Sequence, residues 1–240
     1  MAEHLILADP QSARDALTFA GRAKQVGDEA VRLQASRGTL AMYAAALTPR
    51  GLFDGTPLIL VLRVLRADPE LECDLTVDSL TETIDPRALR LPDLAVARSW
   101  AAVDVPRCGW TRTEEIPATV IRELAQAGNS DVAKALPLNP GQDVVSKVRS
   151  RVWGEQAEEL AQLPKGVAFA AATFGFLGQS SERASVWRAG RWTRVSLSRG
   201  HVLYRGPVAV GLTEVRRTGS HRRRAHGVLS PMMPHRVSIH

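Results

Sequence analysis

Residues 30–47 read AVRLQASRGTLAMYAAAL, and the reading of this stretch decides the fold. Two alternating runs flank Arg37-Gly38, and alternation is what a strand with one dry and one wet face requires. With Arg37-Gly38 as the turn, Val31 opposes Ala44, Leu33 opposes Met42 and Ala35 opposes Leu40. All six then share one face, while Arg32, Gln34 and Tyr43 take the other. A slip of one residue would turn every apolar side chain to the wet side, so the pattern specifies its own register. The stretch is an antiparallel hairpin.

Upstream of it, Asp9-Pro10 is a helix start, with an acid at the cap and proline at the first helical position. Ala16, Leu17, Ala20 and Ala23 carry that helix to a stop near Gly27. Downstream, residues 57–66 (PLILVLRVLR) form a buried-type strand, Asp68-Pro69 suits a turn, and residues 71–77 return. Pairing about that turn sets Leu71, Cys73 and Leu75 opposite Arg66, Val64 and Leu62, with Arg63 across from Asp74. A short helix is expected over residues 78–84, ending before Pro86, and further strand over 90–105. A strand end at Trp110 then leads into a helix between Pro117 and Gly128, and Asn139-Pro140-Gly141 breaks the chain. Helices over 144–153, 156–163 and 167–177 precede a three-stranded meander from Ala184 to Arg205. The fold class is α+β: antiparallel hairpins with flanking helices and a C-terminal three-stranded meander. Residues 1–140 form a helix plus antiparallel-sheet portion, 141–214 a helical plus β-meander portion, and 215–240 a basic tail.

The 240 residues are 45% hydrophobic and 23% charged, enough for a buried core. No apolar run approaches the ~20 residues of a membrane helix. The short apolar stretch after Glu3 does not read as a signal peptide, so a soluble, cytoplasmic protein without a membrane partner is expected. Cys73 and Cys108 make neither a disulfide framework nor a zinc set; no metal and no cofactor is expected. The net charge of +6 has an address. From Val215 onward there are six arginines (216, 217, 222, 223, 224 and 236) and no acid, so residues 1–214 sum to zero. The tail has no periodicity, which predicts disorder.

No P-loop, GxGxxG, HExxH, GxSxG or paired CxxC occurs. Before the tail the only histidines are His4 and His201, so acid–base chemistry has little material. Glu70, Glu72 and Asp74 fall on one face of a strand and could meet a hard cation. The simpler reading makes them the wet side of a strand whose dry side is Leu71, Cys73 and Leu75. Cys108 follows Arg107, which could lower a thiol pKa, and His201 is the histidine available as its base; a structural turn cysteine is the simpler reading. Cys108 and His201 are nonetheless the candidates for chemistry.

The meander carries the candidate binding surface. With turns at Ala189-Gly190 and Arg199-Gly200, Trp187 faces Trp192, Arg188 faces Arg191, and Ala184, Val186, Thr193, Val195, Leu197, Val202 and Tyr204 share an apolar face. Trp187, Trp192, Arg183, Arg194 and Arg205 fall on the opposite face. Tryptophans rimmed by arginines equip a single-strand nucleic-acid binder and equally a protein interface. The plain alternative is that the rings are covered by the same chain, with arginine stems as a lid. The candidate binding residues are therefore these five together with Arg222, Arg223 and Arg224 of the tail.

The order helix, two hairpins, short helix resembles one module of the DNA sliding clamps. The likeness is carried by residues 13–47 (ARDALTFAGRAKQVGDEAVRLQASRGTLAMYAAAL), a helix followed by an alternating pair turned at Arg-Gly. Residues 74–84 (DLTVDSLTETI) resemble the strand and second helix that follow there, and 113–128 (TEEIPATVIRELAQAG) could be a further strand–helix step. It spans residues 5–85, contains no match to a clamp's partner-binding pocket, and implies a clamp-like oligomeric subunit. The leading expectation is a non-catalytic binding or assembly protein, with a protein partner or self-association ahead of nucleic acid. An enzyme acting on a small molecule in a cleft between the two portions, and a clamp-like subunit, stay open as alternatives.

Overall fold

A computed structural model describes residues 3–26, 29–49, 51, 54–139 and 141–206. Gly27, Pro140 and the whole basic tail, with Arg222, Arg223 and Arg224, lie outside the described residues. In chain order the elements are β1 (His4–Ile6), α1 (Pro10–Val26), β2 (Val31–Ser36), β3 (Thr39–Leu47), β4 (Leu58–Arg66), β5 (Cys73–Val77), β6 (Thr81–Glu82) and β7 (Ala88–Arg90). There follow β8 (Thr111–Pro117), α2 (Ala118–Ala135), α3 (Gln142–Gly154), β9 (Gln156–Ala157), β10 (Leu163–Pro164), α4 (Gly166–Thr173), β11 (Arg183–Ala189), β12 (Trp192–Leu197) and β13 (Gly200–Arg205). The protein is α+β. No helix of the described residues is long and apolar enough to cross a membrane.

Eight strands form one antiparallel sheet in the order β5-β2-β3-β4-β13-β12-β11-β8. Strands from both sides of the Asn139–Gly141 break share it, because β13 pairs with β4 from His201 opposite Leu62 to Arg205 opposite Leu58. All the described elements belong to one unit, Met1–Pro207. The hairpin of β2 and β3 has the register its sequence requires: Val31 with Ala44, Leu33 with Met42, Ala35 with Leu40, all six buried. Arg37 and Gly38 both have positive φ, 52° and 77°, the left-handed pair that lets a two-residue turn follow the strand twist.

One face of the sheet is covered by helices. Ala13, Ala16, Phe19, Ala20 and Ala23 of α1 are buried, as are Ile121 and Ala125 of α2 and nearly all of α4. The Asp9 carboxylate accepts from the Ser12 backbone N–H at 2.8 Å, the cap expected there. Those hydrogen bonds from Ser12 hold the Asp9 carboxyl below its usual range.

Several expectations are corrected. β5 pairs with β2, Leu75 opposite Leu33, and not with β4, whose neighbours are β3 and β13. Leu58, Ile59, Leu60 and Val61 are buried in succession, and a strand apolar on both faces belongs in the middle of a sheet. Residues 78–84 form no helix: the stretch is too short to offset the cost of nucleation, and β6 joins a small sheet with β7 and β1. Residues 91–110 contain only a single 3₁₀ turn, Ser99–Ala102, instead of a long strand. α2 runs through Gly128 to Ala135, since Gly128 lies against Trp153 and is not a terminator. Residues 156–163 are two short strands around a 3₁₀ turn, with Ala161 and Gln162 both at positive φ.

The meander is present with both turns displaced. Val186 pairs with Val195 and Trp187 with Arg194, so the first turn is Gly190-Arg191; Val195 pairs with Val202, so the second is Ser198-Arg199. Each register differs from the expected one by two residues. Because side chains alternate with period two, every residue keeps its face. Ala184, Val186, Thr193, Val195, Leu197 and Val202 are buried, and Tyr204 packs partly buried against the same core.

Candidate functional site

The face of the sheet away from the helices has a core of its own. Trp192 is 6% exposed and packs with Ala30, Ala45, Leu58, Leu60, Trp100 and Leu203. The cover is the irregular run from Val96 to Trp110. It is tied down by Val96 N–H donating to the Thr76 carbonyl at 2.8 Å and by Arg32 Nη1 donating to the Ala101 carbonyl at 2.6 Å. Trp110 closes the far end, its indole N–H on the Pro106 carbonyl at 2.9 Å. The near-continuous apolar run of β4 was the sequence signal for this second core. Such a strand needs a lid on both faces, and the roles of Trp100 and Trp110 follow from that.

Within this arrangement the meander's aromatic and cationic side chains meet one another. The Arg194 guanidinium lies 4.6 Å from the Trp110 ring centre and 5.3 Å from that of Trp187, a cation between two indoles. Its Nε is buried and has no hydrogen-bond partner among the described residues. Burial pushes the Arg194 pKa down. Arg205 sits 5.8 Å over Trp192. Trp187 is half-buried. Arg183 bonds Glu115 at 2.9 Å and Arg188 lies 3.6 Å from Glu114, both glutamates of β8. The like-charged facing pair expected in the meander, Arg188 with Arg191, does not form: Arg188 opposes Thr193.

β8 itself is the last strand of the sheet. Thr111 to Glu115 are all exposed, with Ile116 turned into the core. A bulge interrupts its pairing with β11, and the Thr113 hydroxyl donates to the Val186 carbonyl at 3.3 Å. Arg112 forms an ion pair with Glu115 along the strand.

The candidates for chemistry lie apart. Cys108 is exposed at a hollow lined also by Gly190, Arg191, Trp192 and Arg205. His201 is at the other end of β13, four residues or about 13 Å from Arg205 at strand spacing. Its Nδ1 is 2.9 Å from the Ser196 hydroxyl. Burial, with Arg194 and Arg63 nearby, pushes the His201 pKa down to about 4. The acidic series also disperses. Glu72 accepts from Ser36 and the Arg37 backbone, while Asp74 takes both arms of Arg32 at 2.8 Å. That hydrogen-bonded Arg32 holds the Asp74 carboxyl below its usual range. Arg63, expected beside Asp74, pairs instead with Asp15 of α1 at 2.5 Å. Among the described residues no group of three or more His, Cys, Asp or Glu is placed to hold a metal ion.

Residues 1–102 match the model of a domain of unknown function, DUF8010, and residues 105–209 match that of another, DUF8185. No curated protein matches the chain. Among solved structures, the chain is similar to a putative DNA polymerase III beta subunit from Eubacterium rectale ATCC 33656, at 8% identity and TM-score 0.46, covering 85% of this chain and 64% of that one. It is also similar to the DNA polymerase sliding clamp from Caulobacter crescentus (9% identity, TM-score 0.45, covering 91% and 70%). A third match is the sliding clamp from Pseudomonas aeruginosa (8% identity, TM-score 0.43, covering 84% and 64%). The chain thus spans less than two thirds of the length of the first and third of these. The resemblance read from residues 5–85 has its counterpart in these matches, which concern fold alone.

Proposed function

We propose that this chain is a non-catalytic assembly protein that joins a second polypeptide, its own copy in the first instance, through the open edge of β8. The observation that carries this reading is the exposure of Thr111–Glu115 on a strand whose one hydrogen-bonded neighbour among the described residues is β11. Such an edge presents a row of backbone donors and acceptors to any strand that can align with it. The opposite edge, β5, is different: the covering run already bonds its Thr76 carbonyl. Antiparallel self-pairing centred on Thr113 would set Arg112 opposite Glu114 of the second copy, a favourable cross-strand pair repeated by two-fold symmetry.

The test is the solution mass of the full chain across micromolar concentrations, with amide hydrogen exchange followed in residues 111–117. Dimer formation with protection of that peptide as concentration rises is the expected result. A monomer at every concentration, with unchanged exchange in β8, would remove self-pairing.

Nucleic acid is the second reading, favoured by the six arginines without an acid after Val215. Gel shifts with single- and double-stranded DNA and RNA across salt would show affinity falling steeply with salt. Replacing Arg222, Arg223 and Arg224 together by alanine would reduce that slope. Equal binding by the triple variant would remove the tail from the reading.

A further inference from the structure

On the helical face, α1, the end of β4, the loop after α4 and the β12–β13 turn enclose a pocket of about 260 Å³. Three guanidinium groups reach it, Arg22 from α1, Arg63 from β4 and Arg199 from the turn, against one carboxylate, Asp15. Asp15 is already taken by Arg63 at 2.5 Å. Among the described residues no carboxylate lies within ion-pair distance of Arg22 or Arg199. The groups lining the pocket therefore carry two positive charges in excess, with Glu182, which also feels Arg199, outside the lining. Its apolar wall is made by Phe19, Phe174 and Phe176, each nearly or fully buried. Charge beside a wall of this kind is screened less than on open surface.

Two of the three arginines are also held in place, while Arg199 is exposed at the rim. Arg22 Nη1 donates to the Phe174 carbonyl and Arg63 Nη1 to the Arg199 carbonyl, so each spends one arm on backbone. Gly175, at φ +68°, lets the Arg22 fork approach so closely: a Cβ there would collide with the guanidinium. Arg22 has further N–H donors beyond that one arm, and the side chain of Arg199 makes no hydrogen bond among the described residues. Two planar guanidinium forks held at a pocket, with a third free to swing onto a ligand, are the equipment for a tetrahedral oxyanion. The volume, about that of nine waters at ~30 Å³ each, leaves room for an organic group on it.

We propose that this pocket binds a phosphate group, free or as the phosphomonoester of a small molecule, clamped by Arg22, Arg63 and Arg199. The probes are inorganic phosphate and glucose 6-phosphate, titrated into the full chain by calorimetry at low salt. Saturable one-to-one binding is expected, and phosphate should raise the melting temperature. Tighter binding of the ester assigns the anion to an organic molecule; equal binding assigns it to free phosphate. Arg199→Gln is the informative variant, because the side chain makes no hydrogen bond among the described residues, acts on Glu182 only through space, and its backbone carbonyl still receives Arg63. It should weaken binding about tenfold, the loss of one charge-assisted hydrogen bond, with the melting temperature of the free protein unchanged. The proposal is overturned if neither probe binds at millimolar concentration. It is equally overturned if Arg199→Gln binds as the parent does while alanine at Arg222, Arg223 and Arg224 abolishes binding, which would give the anion to the tail.

Discussion

Trp192→Ala tests whether the second face of the sheet is a core or a binding surface. Trp192 is 94% buried by its 6% exposure, enclosed by Leu58, Leu60, Trp100 and Leu203 with Arg205 above the ring. A tryptophan buries on the order of 200 Å², which at ~25 cal/mol per Å² is about 5 kcal/mol of transfer free energy. Truncation of a buried tryptophan costs about 3–5 kcal/mol. Domains of this kind carry only about 5–15 kcal/mol in total, so the variant should sit close to its unfolding transition. Trp187→Ala is the internal comparison. Trp187 is half-buried and shares Arg194 with Trp110, so its loss should cost about 1–2 kcal/mol. Urea unfolding followed by far-ultraviolet circular dichroism gives both numbers, provided the slope with denaturant is unchanged. A cost below about 1 kcal/mol for Trp192→Ala, or equal costs for the two variants, would refute the reasoning.

Gly200 opens β13 with its backbone against the Phe176 ring, where an added Cβ would stand 2.5 Å from Cε1. Gly200→Ala should therefore lower stability by about 1–3 kcal/mol through overpacking, read as a drop in melting temperature; an unchanged transition would mean that Phe176 can move aside. His201 gives a pH dependence. Its folded pKa of about 4 lies below the ordinary 6.5, so the unfolded chain binds the proton more readily. Its contribution is fully present above about pH 6.5 and is lost as pH falls toward 4, reaching about 3 kcal/mol. Urea midpoints at pH 7 and 4.5 should separate less in His201→Asn than in the parent, the carboxylates being common to both; equal separation would show that His201 is not held neutral by the fold.

The local elements that could be read from residues were those whose pattern admits one solution. The β2–β3 register follows because a one-residue slip would expose six apolar side chains, and the Asp9-Pro10 start follows because Asp9 satisfies an orphan helix N–H. The meander's faces were legible although its turns were not. A two-residue slip leaves the period-two alternation intact and costs only a different pair of turn residues. Gly190 at φ +55° took the first turn position, where a left-handed backbone is needed. The partner of β5 was not legible, because an alternating strand reads equally well beside β4 or β2; the apolar run Leu58–Leu62 of β4 decides it by placing that strand in the middle of the sheet, between β3 and β13.

The sequence by itself determined which residues face which side, since burial is a property of each strand's own alternation. It determined, too, that the basic charge is gathered after Val215. Only the tertiary structure decided what meets each face. Arg183, Arg188 and Arg194 are separated along the chain from Glu115, Glu114 and Trp110 by dozens of residues, and no local pattern pairs them. The pocket of Arg22, Arg63 and Arg199 arises in the same way, from three elements that adjoin only once the sheet has assembled. Long-range adjacency depends on how whole faces pack, and that information is held jointly by the chain rather than by any stretch of it.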